Sequence, residues 1–174
     1  MPLPECMRVP DDPIIMRDLE GQHWRFIEYL EVYGREPVMA PYEQLGEQAD
    51  HEELVRLALV TGGHTRLYKD PTVTDDEADA YRLNVLSDSD YVMYQDGGLL
   101  AWDDDFDVSR INMICVDPRR RGEGIGRNLL CAWMTMHVGK KQVLAGTQSD
   151  NEAAKGLYKS LGFKLVSREA TFHR

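Results

Sequence analysis

The stretch Ile111–Leu130, INMICVDPRRRGEGIGRNLL, limits what this chain can fold into more than any other. Apolar residues lead into Val116-Asp117-Pro118, and three consecutive arginines and the interleaved Gly122, Gly124 and Gly126 follow. Ile125, Leu129, Ala132, Trp133 and Met136 then recur at helical spacing to about His137. A strand, a turn free of Cβ bulk and a helix follow one another. In that order, successive backbone N–H groups and the positive end of the helix dipole would cradle a phosphate or pyrophosphate, with arginines beside them. The competing reading is a plain glycine-rich turn.

Common nucleotide loops do not account for the stretch. Its spacing is Gly122-x-Gly124-x-Gly126 rather than GxGxxG, and no acidic residue sits suitably on a following strand, so the dinucleotide fingerprint fails. GxxxxGK[ST], HExxH, GxSxG and paired metal-ligand spacings are absent, and no metal is expected.

At 174 residues the chain suits one domain with a sizeable core. No apolar run approaches the roughly 20 residues that cross a bilayer, and the first residues lack the basic and apolar regions of a secretory signal. Cys6, Cys115 and Cys131 form no CxxC and no even disulfide framework, and read as reduced thiols of a cytoplasmic protein. The net charge of −10 is uneven: residues 111–174 carry 11 Lys/Arg against 5 Asp/Glu, and residues 1–110 carry 9 against 25. Overall acidity argues against nonspecific nucleic-acid binding. The basic part suits an anionic ligand, although two solvated faces would give the same counts.

Elsewhere the pattern predicts helices, then a meander of strands, then strand–helix–strand–helix–strand. Residues 1–45 read as an N-terminal extension of the same domain in which Trp24, Phe26, Ile27, Leu30 and Val32 fit a helix or a strand. Asp50-His-Glu-Glu53 and Thr74-Asp-Asp-Glu77 look like capping boxes. They open helices with apolar faces Leu54, Leu57, Ala58 and Ala78, Tyr81, Val85. YVMYQDGGLLAW reads as two strands about Asp96-Gly97-Gly98, and DVSRINMICV as a third whose continuous apolar end predicts burial on both faces. After a short strand QVLAGT, Ser149-Asp-Asn-Glu152 predicts another box, before a helix carrying Ala154, Leu157, Tyr158 and Leu161 and stopped by Gly162. KLVSREATFHR closes with one or two strands. The class is α/β (α+β) on a mixed, mostly antiparallel sheet flanked by helices.

Val116–Leu130 resembles the acetyl-coenzyme A motif of the GNAT superfamily of N-acetyltransferases, Arg/Gln-x-x-Gly-x-Gly/Ala, which Arg121-x-x-Gly124-x-Gly126 matches. Asn151–Phe163, NEAAKGLYKSLGF, resembles the second signature of that superfamily. The resemblance implies a GNAT domain over 46–174, acetyl-coenzyme A as cofactor, and a splayed strand at Ile111–Val116. The N–H near Ile114 would meet the acetyl oxygen, Cys115 and Val116 would flank the pantetheine arm, and the phosphates would lie on Arg121, Gly122, Glu123, Gly124, Ile125, Gly126 and Arg127. Asn151 would reach the arm, and Tyr158 would protonate the departing thiolate.

A finer resemblance links Thr147-Gln148, Phe172-His173-Arg174 and Thr65–Pro71 to the branch acting on dTDP- or UDP-amino sugars, such as dTDP-fucosamine. It implies an amino-sugar nucleotide acceptor with Arg66 and Lys69 on its pyrophosphate and His173 nearby; charge and hydropathy point to no nucleic-acid or membrane partner, and a homodimer is the candidate assembly. Other amines, such as polyamines, aminoglycosides or protein N-termini, are the alternative acceptors, and a non-catalytic coenzyme A-binding module is the alternative class. For the general base, His173, the acidic run Asp103–Asp107 and a water chain stay open. Cys115, on a buried strand, reads as a small hydrophobe.

Overall fold

The computed structural model of the protein describes residues 3–43, 45, 51–60, 66–94 and 97–174, without the side chains of Arg66, Met93 and Tyr94. The order begins β1 (Cys6–Pro10), α1 (Pro13–Gly21), β2 (Arg25–Arg35), α2 (His51–Val60), α3 (Arg66–Lys69) and α4 (Asp75–Ser87). It continues β3 (Asp90–Tyr94), β4 (Gly98–Asp104), β5 (Val108–Val116), a 3-10 turn at Pro118–Arg120, α5 (Ile125–Met136), β6 (Gln142–Gln148), α6 (Glu152–Ser160) and β7 (Lys164–His173). Among the described residues seven strands form one sheet in the order β1-β7-β2-β6-β5-β4-β3. Each neighbouring pair is antiparallel except β5 with β6, so the sheet is mixed as its helix–strand alternation predicts.

Local chemistry starts most helices where the sequence places them. Thr74 and Glu77 form a reciprocal capping box at α4. The Asp12 carboxylate accepts from Ile14 and Ile15 N–H to open α1 behind Pro13. Asp50, the cap expected of α2, lies outside the described residues, as does Asp96 of the turn before β4. At α6 the cap is Asn151, not Ser149: Ser149 still donates its N–H to Tyr29 O at 2.9 Å across the sheet, so the helix begins only at Glu152. The inner side of α4 is also rotated from the predicted face. Ala78, Arg82 and Leu86 are its buried residues, and Arg82 Nε donates to Ala58 O at 2.7 Å.

The helix-or-strand ambiguity over Trp24–Val32 resolves as β2, wedged between β6 and β7. Two layers of core flank the sheet. On one side α5 and α6 bury Leu129, Leu130, Trp133, Tyr158 and Phe163 against Tyr33, Leu100 and Ile111. On the other, α2 and α4 bury Leu54, Leu57 and Leu86 against Leu99, Met113 and Cys115. The continuous apolar run of β5 therefore serves both faces. A register shift between Ala101↔Met113 and Trp102↔Ile111 leaves Asn112 as the extra residue of a bulge, which turns Ile111 to one layer and Met113 and Cys115 to the other.

The bulge sits where the sheet opens. β5 and β6 pair from Val108↔Gln142 only as far as Ile111↔Ala145. Beyond that register the strands diverge, and the β6-facing backbone of residues 112–116 has no ladder partner there. This is the splay expected at Ile111–Val116.

Candidate functional site

The glycine loop lies on the α5–α6 side of the splay. Asp117, buried, accepts from Arg119 N–H at 2.9 Å and from the Arg119 and Arg56 guanidinium groups at 2.7 and 2.8 Å. Those donors hold its carboxyl far below the usual carboxylate range. Arg120 pairs with Glu123 at 2.9 Å. Of the cationic cluster, Arg121 and Arg127 are exposed and make no ion pair among the described residues.

Gly124 caps α5 with φ 84°, a left-handed conformation that glycine adopts without strain. No side chain caps this helix start, so its first N–H groups face outward without an intrahelical acceptor. Gly126 serves packing instead: a Cβ there would lie 3.1 Å from Leu157 Cδ2, and its absence lets α5 approach α6. Unfilled N–H groups, the positive helix end and two unpaired arginines suit a pyrophosphate.

Asn151 and Tyr158 sit on α6 beside this loop's helix. Asn151 Oδ1 accepts from Ala154 N–H at 3.2 Å, so its cap role leaves the amide NH2 for other contacts. Tyr158 is 1% exposed and packs against Tyr33 and Phe163, with ring centroids 6.0 and 5.8 Å away. Its hydroxyl makes no hydrogen bond among the described residues. Burial, and then the nearby Cys115 thiol, push its phenol well above the ordinary value, so it stays protonated at neutral pH. Tyr33 is the other phenol in this layer, but its hydroxyl is committed to Glu31 at 2.7 Å. Cys115 is buried 3.6 Å from Arg82 Nη2.

The opposite side of the sheet carries a groove of about 450 Å³ that straddles the splay. β5 contributes Ile111–Met113 and β6 contributes Gly146 and Gln148, with Glu28 at the β2 side. Glu28 is 7% exposed, and burial raises its carboxyl above the usual value despite Lys69 and Gln148. Lys69 Nζ is 3.2 Å from Glu28 Oε2, an ion-pair distance without hydrogen-bond alignment. Glu28 escaped the sequence reading because residues 25–35 did not declare their register; an acid within a strand pattern was the available signal.

Lys69 is held between Glu28 and Asp150, at 3.2 and 3.0 Å. The Arg66 side chain lies outside the described residues. His173 is fully buried, its Nδ1 2.5 Å from Asp70 Oδ2. It lines a separate cavity of about 360 Å³ with Arg25, Thr72 and Glu77. The acidic run forms the β4–β5 turn, where Asp104 meets His137 and Lys140, and Asp107 meets Lys141. Only Asp103 of that run lines the groove.

Known proteins share this fold and resemble part of this sequence. The fold is shared, for example, with a GCN5-related N-acetyltransferase from Sphaerobacter thermophilus, at 15% identity and a TM-score of 0.61 over 97% of this chain and 58% of that one. Residues 86–165 match the family model of an acetyltransferase (GNAT) domain. The chain thus shares the fold of these acetyltransferases, and its residues 86–165 carry the likeness to their domain model. Its middle and C-terminal part is similar to the N-alpha-acetyltransferase RimI of Mycobacterium tuberculosis, 38% identical over 64 residues, 37% of this chain and 40% of that protein. It is also similar to an N-acetyltransferase 9-like protein of Nematostella vectensis, 32% identical over 72 residues, 40% of this chain and 36% of that protein. The matched segments span less than half the length of these curated relatives. Among the described residues no helix is long and apolar enough to cross a membrane.

Proposed function

We propose that the protein is an acyl-coenzyme A-dependent N-acetyltransferase that moves an acetyl group onto a primary amine within a ternary complex. One observation carries this reading: the β5–β6 opening lies between an anion-suited glycine loop on one face and a groove with a buried carboxylate on the other. Acetyl-coenzyme A supplies an acetyl thioester. The chain's part is to hold the phosphates on the N–H groups of residues 121–127, to offer the unpaired backbone near Ile114 to the acetyl oxygen, and to keep a proton on the Tyr158 hydroxyl. Cys115 and Val116 would flank the arm, and the free NH2 of Asn151 would reach it. The free thiols of Cys6, Cys115 and Cys131 suit a cytoplasmic setting.

Gly124→Val tests the loop. A valine at φ 84° is strained whatever space it has, and it would displace the N–H groups at the start of α5. Calorimetric titration with coenzyme A should show affinity weakened roughly 10–100-fold, the equivalent of one lost hydrogen bond to a charged group. Unchanged affinity would remove the loop from the site.

Two acceptor classes are in competition. A nucleotide-linked amino sugar is implied by resemblance, but within Thr147-Gln148 and Phe172-His173-Arg174 only Gln148 lines the groove. A small or peptide amine is favoured by Glu28, Asp88 and Asp103 on the groove wall, although Arg8, Arg82 and Arg110 also line it. The mycobacterial relative, an N-alpha-acetyltransferase, favours the same class. Thiol release from acetyl-coenzyme A across dTDP- and UDP-amino sugars, polyamines and short peptides decides between them. Turnover confined to the sugar nucleotides would sink the second reading.

A further inference from the structure

We infer that Arg56 is a positioning residue of the cofactor site: from α2 it fixes, through Asp117, the glycine loop that the coenzyme A phosphates would meet. This rests on the acetyltransferase reading, and it adds a residue from a helix outside the matched segment 86–165.

The loop has few anchors. On its C-terminal side α5 holds it, with Asn128 N–H donating to Gly124 O at 2.9 Å. Before that point Gly122 and Glu123 are exposed and make no backbone–backbone hydrogen bond among the described residues, and Gly122 has φ 87°. The N-terminal side is set by Asp117. Its N–H donates to Gly97 O at 2.9 Å, and its carboxylate accepts from Arg119 N–H at 2.9 Å to open the turn Pro118–Arg120. A cradle of N–H groups takes an anion well only if the groups converge before it arrives. What holds Asp117 therefore bears on affinity.

Arg56 holds it from outside the loop. The Asp117 side chain is 2% exposed, and its Oδ2 receives Arg56 Nη2 at 2.8 Å beside Arg119 Nη2 at 2.7 Å. Arg56 is oriented in turn by Glu53, one helical turn earlier, whose carboxylate receives Nε at 2.6 Å and Nη2 at 2.5 Å. Two parallel hydrogen bonds fix the plane of a guanidinium, which one point contact does not. α2 itself is seated by Leu54, Leu57 and Ala58 against Leu99, Met113 and Cys115. The clamp thus ties the foot of the loop to the packed core.

Charge indicates that Arg56 acts through Asp117 and not on a phosphate. Two carboxylates already lie on its guanidinium and offset its charge, whereas Arg121 and Arg127 are exposed and make no ion pair among the described residues. An ion pair serving α2 alone would end at Glu53. Arg56 reaches past it to a buried carboxylate 61 residues further along the chain.

Ligands with and without the phosphates test this. Calorimetric titration with coenzyme A should show affinity about 10-fold weaker in Arg56→Met than in the wild type, on the scale of a single charge-assisted contact. Acetyl-pantetheine carries the same thioester without any phosphate. With the amine of the panel that turns over fastest, the ratio of kcat/KM for acetyl-coenzyme A to that for acetyl-pantetheine should fall by a similar factor. A general loss of structure would lower both and leave the ratio alone. The double variant Arg56→Met, Asp117→Asn should bind coenzyme A as weakly as Asp117→Asn does, because Arg56 acts on the loop through that carboxylate. Wild-type affinity in Arg56→Met, an unchanged ratio, or additive losses in the double variant overturns the inference. The titrations decide where no amine turns over. If Arg56→Met or Asp117→Asn does not fold, Glu53→Gln, which removes the charge that orients Arg56, decides instead: weakened coenzyme A affinity supports the clamp and wild-type affinity overturns it. A wild type that neither binds coenzyme A nor releases thiol would overturn the acetyltransferase reading beneath it.

Discussion

Tyr158→Phe is expected to lower kcat by roughly 10²–10⁴-fold, the usual scale of acid–base catalysis, with coenzyme A affinity and melting temperature near wild type. The ring is the structural part of this residue. It fills the layer between Tyr33 and Phe163, and phenylalanine keeps that contact. The hydroxyl has no hydrogen bond among the described residues, so its removal breaks none there. Burial keeps it protonated, which is the state a donor to a thiolate needs. Tyr33 does not replace it, because its hydroxyl already donates to Glu31. Steady-state kinetics, single-turnover rates and calorimetry separate the terms: kcat and kcat/KM should fall together while Kd stays. Wild-type turnover in Tyr158→Phe, with chemistry rate-limiting, would exclude the assignment. Ping-pong kinetics with acetylated Cys115 would overturn the ternary complex instead.

What the sequence disclosed is what neighbouring residues determine between themselves. The Thr74/Glu77 box and the glycine turn into α5 depend on hydrogen bonds and dihedral angles within a few positions, and each is where its spacing predicts. The nature of β2 depends on partners more than a hundred residues away, β6 and β7, so the ambiguous run Trp24–Val32 was undecidable locally. Glu28 shared that fate. Its position over the groove follows from register, and register is fixed only when the sheet forms. The surroundings of the proposed substrate residues were hidden for the same reason. Lys69 has the right charge for a phosphate, but the fold brings Asp150 and Glu28 against it. His173, expected near the acceptor, is drawn inside because β7 lies between β1 and β2.

That burial makes Asp70→Ala the substitution with the largest expected cost in stability, about 3 kcal/mol, at the low end for breaking a buried ion pair because Arg25 is half exposed. Asp70 and His173 are both wholly buried, and a carboxylate can only accept, so the proton between them sits on His173 Nδ1. The other oxygen, Oδ1, receives Thr72 N–H at 2.9 Å, Thr72 hydroxyl at 2.7 Å and the Arg25 guanidinium. One side chain thus ties α3 and the segment after it to β2 and to the last residues of β7. Removing it leaves a buried imidazole and an arginine without their shared carboxylate. For a chain of this size, about 3 kcal/mol corresponds to a fall in Tm of roughly 6–12 °C. The pH dependence has a definite sign. Burial pushes the Asp70 carboxyl up, but the donors from Thr72, His173 and Arg25 outweigh it and hold the group well below the usual carboxylate range. Its contribution is therefore fully present above the unfolded carboxyl's value of about 3.9, and is lost as pH falls below that toward the folded value. Thermal melts of wild type and Asp70→Ala from pH 7 to pH 3 should show a gap that is constant down to about pH 4 and narrows below it. Equal Tm values at pH 7 would show that the buried pair contributes nothing to holding the C-terminal strand in place.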